Sequence, residues 1–266
     1  MILLDLDSPK TWRPHFDSFV YENNTWNSIQ AEISENEKAI DFMFDFKNRP
    51  QYRKNPLVKN LCEIGSKVLT ERYTHVASYH GCRPKNKTTY KKLGVLPSNI
   101  KNLTQEARIL FDGIPGFNSA IKDIGKDYQQ HNNGKVGFLL SAVWAMSENN
   151  EYSKGSEFIS AIANRLGSNA KTRFAKAGKR TWIKCAIPIN WLDTKADFPI
   201  KESYVSNVIS GLIRFKKWPE EKLNYFDQGF LLKKGIPPKN ILAFIPHKNL
   251  KQRKRETKGP GLHFQL

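Results

Sequence analysis

The sequence predicts a mixed α+β protein, in which a helical N-terminal extension leads into a sheet interrupted by short helices. Three observations carry this. Segments with helical spacing come first and strand candidates follow, without the regular strand–helix–strand alternation of a parallel α/β fold. No Gly-rich phosphate loop joins a strand to a helix. At 266 residues, 39% hydrophobic and 12% aromatic, the chain is long and apolar enough to bury a core without a disulfide or metal staple.

Residues 1–60 read as an irregular, partly helical lead-in, punctuated by turn signals at Asn23-Asn24, Asn48-Arg49-Pro50 and Asn55-Pro56. Within it, Ser28 to Phe46 predicts a helix from the spacing of Ile29, Ile33, Ile40 and Phe44. Leu57 to Arg72 predicts another, with Leu57, Val58, Leu61, Ile64, Val68 and Leu69 on one stripe. Thr74 to Tyr79 is a short strand that ends at His80-Gly81. A helix at Thr88 to Leu93 stops at Gly94, a left-handed C-cap. Residues 103–111 and 118–130 form two helices joined by the turn Asp112-Gly113-Ile114-Pro115-Gly116. Gly134 to Ser141 is a strand and Gly155 to Leu166 a helix. Arg180 to Ile189 alternates with period two, as a half-buried strand does. Ser206 to Phe215 is helical, and Gln228 to Leu232 and Ile241 to Ile245 are the last strands. The organisation expected is an extension over residues 1–73, a main domain over 74–247 and a basic tail over 248–266. No Gly/Ser-rich linker parts the first two, so the extension is expected to join the sheet.

Composition narrows the function. Lys and Arg number 43 against 25 Asp and Glu, a formal net charge of +18, which calls for a polyanionic neighbour. No run approaches the length of a membrane span, and Asp5 and Asp7 interrupt the place where a signal peptide needs apolar residues. Cys62, Cys82 and Cys185 are an odd set without C-x-x-C spacing, which fits a reducing compartment, and the six histidines make no metal-ligand pair. A cytoplasmic protein without membrane contact and without a bound metal is expected.

Three segments place polar groups at strand ends. The first is Tyr79-His80-Gly81-Cys82-Arg83-Pro84, where an imidazole faces a cleft, a glycine admits close backbone approach, and Arg83 suits a phosphate. The second is Gly137-Phe138-Leu139-Leu140-Ser141 with Tyr152-Ser153-Lys154-Gly155-Ser156-Glu157, a ring and hydroxyls opening a helix. The third is Phe226-Asp227-Gln228-Gly229-Phe230-Leu231-Leu232 followed by Ile236-Pro237-Pro238-Lys239-Asn240-Ile241. Read singly, His80 is a structural histidine, Ser156 a helix cap and the third segment a turn between strands.

Together the segments resemble the NAD-dependent ADP-ribosyltransferase superfamily of the His-Tyr-Glu type. Tyr79 to Pro84 with Tyr90 and Gly94-Val95-Leu96-Pro97 is similar to that family's first motif. The resemblance covers roughly residues 74–246 and implies a mixed, antiparallel split-sheet core. It implies that His80 bonds the nicotinamide-side ribose, that the Gly81 backbone holds the carboxamide, and that Tyr152 stacks on nicotinamide. Asp227-Gln228 falls where the family's third residue, usually glutamate, precedes its strand. Around them Tyr79, Arg83, Tyr90, Ser141 and Ser156 are the implied NAD contacts. Such an acid stabilises an oxocarbenium-like transition state; Gln228 keeps the hydrogen bond without the charge, and Asp227 stands beside it.

The basic charge and the aromatics among it, Tyr52, Trp182, Phe215 and Trp218, suit single-stranded nucleic acid, with Lys251, Arg253, Lys254 and Arg255 of the tail as an electrostatic arm. The expectation is an ADP-ribosyltransferase acting on RNA, similar to the toxin of a bacterial toxin–antitoxin or anti-phage module. Its partner would be an acidic antitoxin, alone or with a chaperone. Two alternatives stand beside it: a transferase that modifies protein, and a catalytically silent nucleic-acid-binding protein.

Overall fold

A computed structural model describes residues 1–35, 55–142, 154–196, 200–217 and 229–247. Among them the chain is mixed α+β with an open sheet. It starts with the two-residue strand β1 (Leu3–Leu4), a 3-10 turn at Pro9–Thr11, and helices α1 (Arg13–Val20), α2 (Asn23–Glu35) and α3 (Pro56–Arg72). Asn55 opens α3, its side chain accepting from the Leu57 and Val58 amides at 2.9 and 3.2 Å. Then come β2 (His75–Cys82), α4 (Thr88–Leu93), α5 (Ile100–Phe111), α6 (Phe117–His131) and β3 (Val136–Leu139). They are followed by α7 (Glu157–Leu166), α8 (Ser168–Lys176), β4 (Thr181–Pro188), α9 (Ile189–Thr194) and α10 (Lys201–Lys217). The last elements are β5 (Gly229–Leu232), a 3-10 turn at Pro238–Asn240, and β6 (Ile241–Pro246).

The strand order is β5-β3-β2-β4-β6, with β1 also paired to β2. β1 runs parallel to β2, Leu3 opposite His75 and Leu4 opposite Val76. β4 and β6 are antiparallel from Thr181 opposite Pro246 to Cys185 opposite Ile241, with a bulge between Lys184 and Cys185.

The chain divides into two compact units that do not follow sequence order. One comprises 1–78, 138–141 and 186–233; the other comprises 79–137, 142–185 and the segment from 234 onward. In the first, α1, α3 and α10 pack together over Phe16, Leu61, Leu69, Val205 and Ile209. Gly65 lets α3 come close to α10, since a Cβ there would lie 2.5 Å from Val205 Cγ1. Within this core Tyr204, fully buried, bonds Ser78 Oγ at 2.5 Å and the Ala77 carbonyl at 3.0 Å. In the second unit α5, α6, α7 and α8 close around Phe111, Phe158, Ile162 and Phe174.

Several sequence expectations need correction. β2 runs through His80 and Gly81 to Cys82 rather than ending at them, because neighbouring β4 begins at Thr181 and the Cys82 thiol reaches the Thr181 carbonyl at 3.4 Å. β4 is buried on both faces rather than half-buried, and it lies inside the sheet between β2 and β6. The lead-in holds β1 and α1, and α2 begins at Asn23, five residues earlier than its hydrophobic spacing suggests; the part of that expected helix beyond Glu35 lies outside the described residues. Helices α8 and α9 were not expected.

Candidate active site

His80 stands near the end of β2, and its Nδ1 lies 2.9 Å from the carbonyl of Gly137 in β3. A carbonyl only accepts, so Nδ1 carries the proton and Nε2 is an acceptor. Burial holds the imidazole below its ordinary pKa of 6.5, against the opposing pull of the Gly137 bond. The residue as a whole is half-buried. A neutral histidine with a fixed tautomer results.

The neighbouring residues have distinct settings. Tyr79 is buried, with the Lys184 ammonium 5.9 Å above its ring; Gly81 is half-buried on the same strand. Burial pushes the Cys82 thiol up to about 12, offset in part by a hydrogen bond with Tyr90. Tyr90 is itself raised by burial, and its ring meets Phe244 edge-on at 6.4 Å.

Arg83, nominated for a phosphate, is used internally. Its Nε donates to the Lys154 carbonyl at 2.8 Å, and one terminal nitrogen donates to Ala175 and Gly178 carbonyls, both at 2.9 Å. The guanidinium carbon also lies 5.1 Å from the Phe174 ring centroid. A planar fork suits several carbonyls at once, so Arg83 ties the end of α8 to the turn before α7. Glycines make the room: a Cβ at Gly178 would lie 2.5 Å from the Arg83 carbonyl oxygen, and one at Gly155, where φ is +106°, would lie 3.1 Å from Arg83 Cβ.

Ser141 is buried, and its hydroxyl donates to Asp7 Oδ1 at 2.5 Å. Ser156 caps α7, accepting from the Ile159 amide at 3.4 Å. Trp182 requires correction as a base-stacking surface. It is 1% exposed, because β4 is covered on both faces, and its indole N–H donates to His247 Nδ1 at 3.3 Å. Tyr152, Asp227, Gln228, Trp218, Lys251, Arg253, Lys254 and Arg255 lie outside the described residues.

The three segments are linked in pairs. His80 of the first bonds Gly137 of the second. Phe138 of the second stacks on Phe230 of the third, centroids 5.8 Å apart at 29°. Val95 of the first and Ile236 of the third exchange two backbone hydrogen bonds, 2.9 Å and 2.8 Å long. Gly94, at φ +80°, permits that last contact: a Cβ there would lie 1.9 Å from the Ile236 carbonyl oxygen.

Sequence reasoning missed Lys184, a lysine 5% exposed beside Tyr79 and next to the β4 bulge. Its signal was a cation in the middle of an otherwise apolar strand. Among the described residues no cluster of three His, Cys, Asp or Glu side chains is arranged to hold a metal, and no helix is long and apolar enough to cross a membrane. No protein-family model, curated protein or solved structure matches the chain.

Proposed function

We propose that the chain transfers ADP-ribose from NAD to a macromolecule, RNA in preference to protein, as the toxin of a bacterial toxin–antitoxin or anti-phage module. The pairwise linkage of the three segments carries the reading, because motifs far apart in sequence meet through a hydrogen bond, a ring stack and a two-bond bridge. A neutral His80 held by the Gly137 carbonyl offers Nε2 as the acceptor that a ribose hydroxyl needs.

The chemistry asks little of the protein beyond binding and orientation. The bond between nicotinamide and the ribose carbon breaks, its electron pair leaving with the neutral nicotinamide. A hydroxyl or ring nitrogen of the target bonds that carbon and gives up its proton to solvent or a nearby base. His80 would hold the ribose, Tyr152 would stack on the leaving ring, and Asp227 or Gln228 would bond the ribose near the developing charge. The net charge of +18 supports a polyanionic target and an acidic antitoxin.

Gln228 in place of a glutamate favours a second reading, a nucleic-acid-binding protein without catalysis. Incubation with labelled NAD and, separately, total RNA, DNA and cell protein decides between them. Label entering RNA with the wild type and not with His80→Ala is the expected result. Label in protein alone moves the target class. No NAD consumption with any fraction refutes the transferase and leaves the binding protein.

A further inference from the structure

We propose that the face formed by Lys87, Tyr90, Lys91 and Phe244 docks single-stranded nucleic acid, which deepens the transfer reading above and rests on it. From Arg83 to Gln105 the sequence carries six cations, Arg83, Lys85, Lys87, Lys91, Lys92 and Lys101, and no acid. The run starts three residues after His80. Arg83 is committed to backbone carbonyls. Lys85, Lys87, Lys91 and Lys92 are exposed.

Helix geometry gathers part of this charge. Lys87 and Lys91 are one turn apart, with the Lys91 amide on the Lys87 carbonyl at 3.0 Å, so two like charges share a face. Glu106, close to Lys85 and to Tyr90, is an acid on this side of α4, and one carboxylate does not balance four lysines. Such an excess is tolerated at a surface that meets a polyanion.

The same face carries rings. Phe244 is half-buried on β6, the last strand in the sheet order. The Lys87 ammonium lies 5.3 Å from its ring centroid, and Tyr90 meets it edge-on. Leu93 and Leu96, 55% and 57% exposed, extend the apolar surface from the end of α4. Single-stranded nucleic acid is bound by this combination, bases stacking on rings while cations track the backbone. A base arriving on Phe244 displaces the Lys87 ammonium, which then pairs with the adjacent phosphate. An anionic membrane would also meet lysines and leucines, yet a half-buried ring with an ammonium over it is suited to a flat base rather than to insertion among lipid chains.

The test measures binding of the full chain to a dye-labelled oligouridylate across a salt series, without NAD. Neutralising Lys87, Lys91 and Lys92 to Gln together is expected to reduce the slope of log affinity against log salt by about 2, at roughly 0.7 per lost phosphate contact. Phe244→Leu is expected to weaken binding roughly 5- to 100-fold at one salt and to leave the slope unchanged. Thermal melting of each variant separates lost contacts from lost fold, and the lysine variant stands as the test where Phe244→Leu melts early. An unchanged slope in the folded lysine variant overturns the proposal. So does preferential binding to phosphatidylglycerol vesicles that the same variant abolishes. Salt-dependent RNA binding through this face by a chain that consumes no NAD refutes the transfer reading alone. RNA labelling with an unaltered slope in the variant refutes the docking face alone.

Discussion

Replacing Gly94 with alanine is the sharpest test of how the site is assembled. Gly94 has φ +80° and ψ −162°, a region reserved for glycine, where another residue costs about 1–3 kcal/mol. Its new Cβ would also lie 1.9 Å from the Ile236 carbonyl oxygen and 3.1 Å from the Pro237 carbonyl carbon. Backbone atoms cannot rotate aside as a side chain does, so the chain must separate there. Separation breaks both hydrogen bonds between Val95 and Ile236, each worth about 0.5–1.5 kcal/mol net. The expected loss is therefore about 2–6 kcal/mol, from the backbone region and the two bonds together. Gly113→Ala and Gly134→Ala are the controls. Both positions have a positive φ, +72° and +76°, and nothing within 4 Å of a Cβ, so each should cost only about 1–2 kcal/mol. Urea unfolding followed by tryptophan fluorescence reads all three. Equal losses would refute the argument, because a positive φ alone would then explain Gly94 and the bridge would contribute nothing.

Other outcomes follow from the same geometry. Arg83→Lys should destabilise by about 2–4 kcal/mol, because a point charge cannot serve three carbonyls and the stack on Phe174 is lost; a fall in melting temperature checks it. Tyr204→Phe should cost about 1–3 kcal/mol by stranding Ser78 Oγ and the Ala77 carbonyl in the core, read by chemical denaturation. For His80, a folded-state pKa below 6.5 means that the unfolded chain binds the extra proton as pH falls. Its contribution is complete above the unfolded value of about 6.5 and is lost as pH drops toward the folded value. His80→Asn, which keeps a donor for the Gly137 carbonyl, should therefore flatten the acid side of the stability curve relative to the wild type. An unchanged slope would mean that the imidazole is not held neutral.

Elements built on local periodicity were legible in the sequence. Residues of α3, α5 and α6 carry both an apolar stripe and an end signal, while α4 carries the end signal alone: Gly94 terminates it with a positive φ that favours glycine, though at ψ −162° rather than in the left-handed helical conformation. β1 has two residues, too few to show a period, and exists through its pairing with β2. α8 buries little besides Ala170 and Phe174, so its stripe is faint. The burial of β4 on both faces depends on which strands and helices flank it, which local sequence does not encode. At the site, the three segments could be picked out by residue type, whereas their pairing could not. His80 and Gly137 are 57 residues apart, and no local pattern announces that contact or the Val95–Ile236 bridge. Arg83 shows the converse: its type suited a phosphate, and local sequence does not announce the three backbone carbonyls that it bonds.

The interleaving of the two units has a consequence during synthesis. The N-terminal 78 residues belong to a unit completed only at residue 233, and β4 receives its partner β6 only with 241–246. At roughly 5–20 residues per second, the first helices wait about 8–30 s for α10 and β5 to emerge. Neither unit can be obtained by a single cut in the chain, so the nascent protein carries apolar helix faces and an unpaired strand until residues 201–246 emerge. A ribosome-associated chaperone would therefore meet this protein early and hold it long, and a truncated product would be cleared as unfolded rather than persist as a working half.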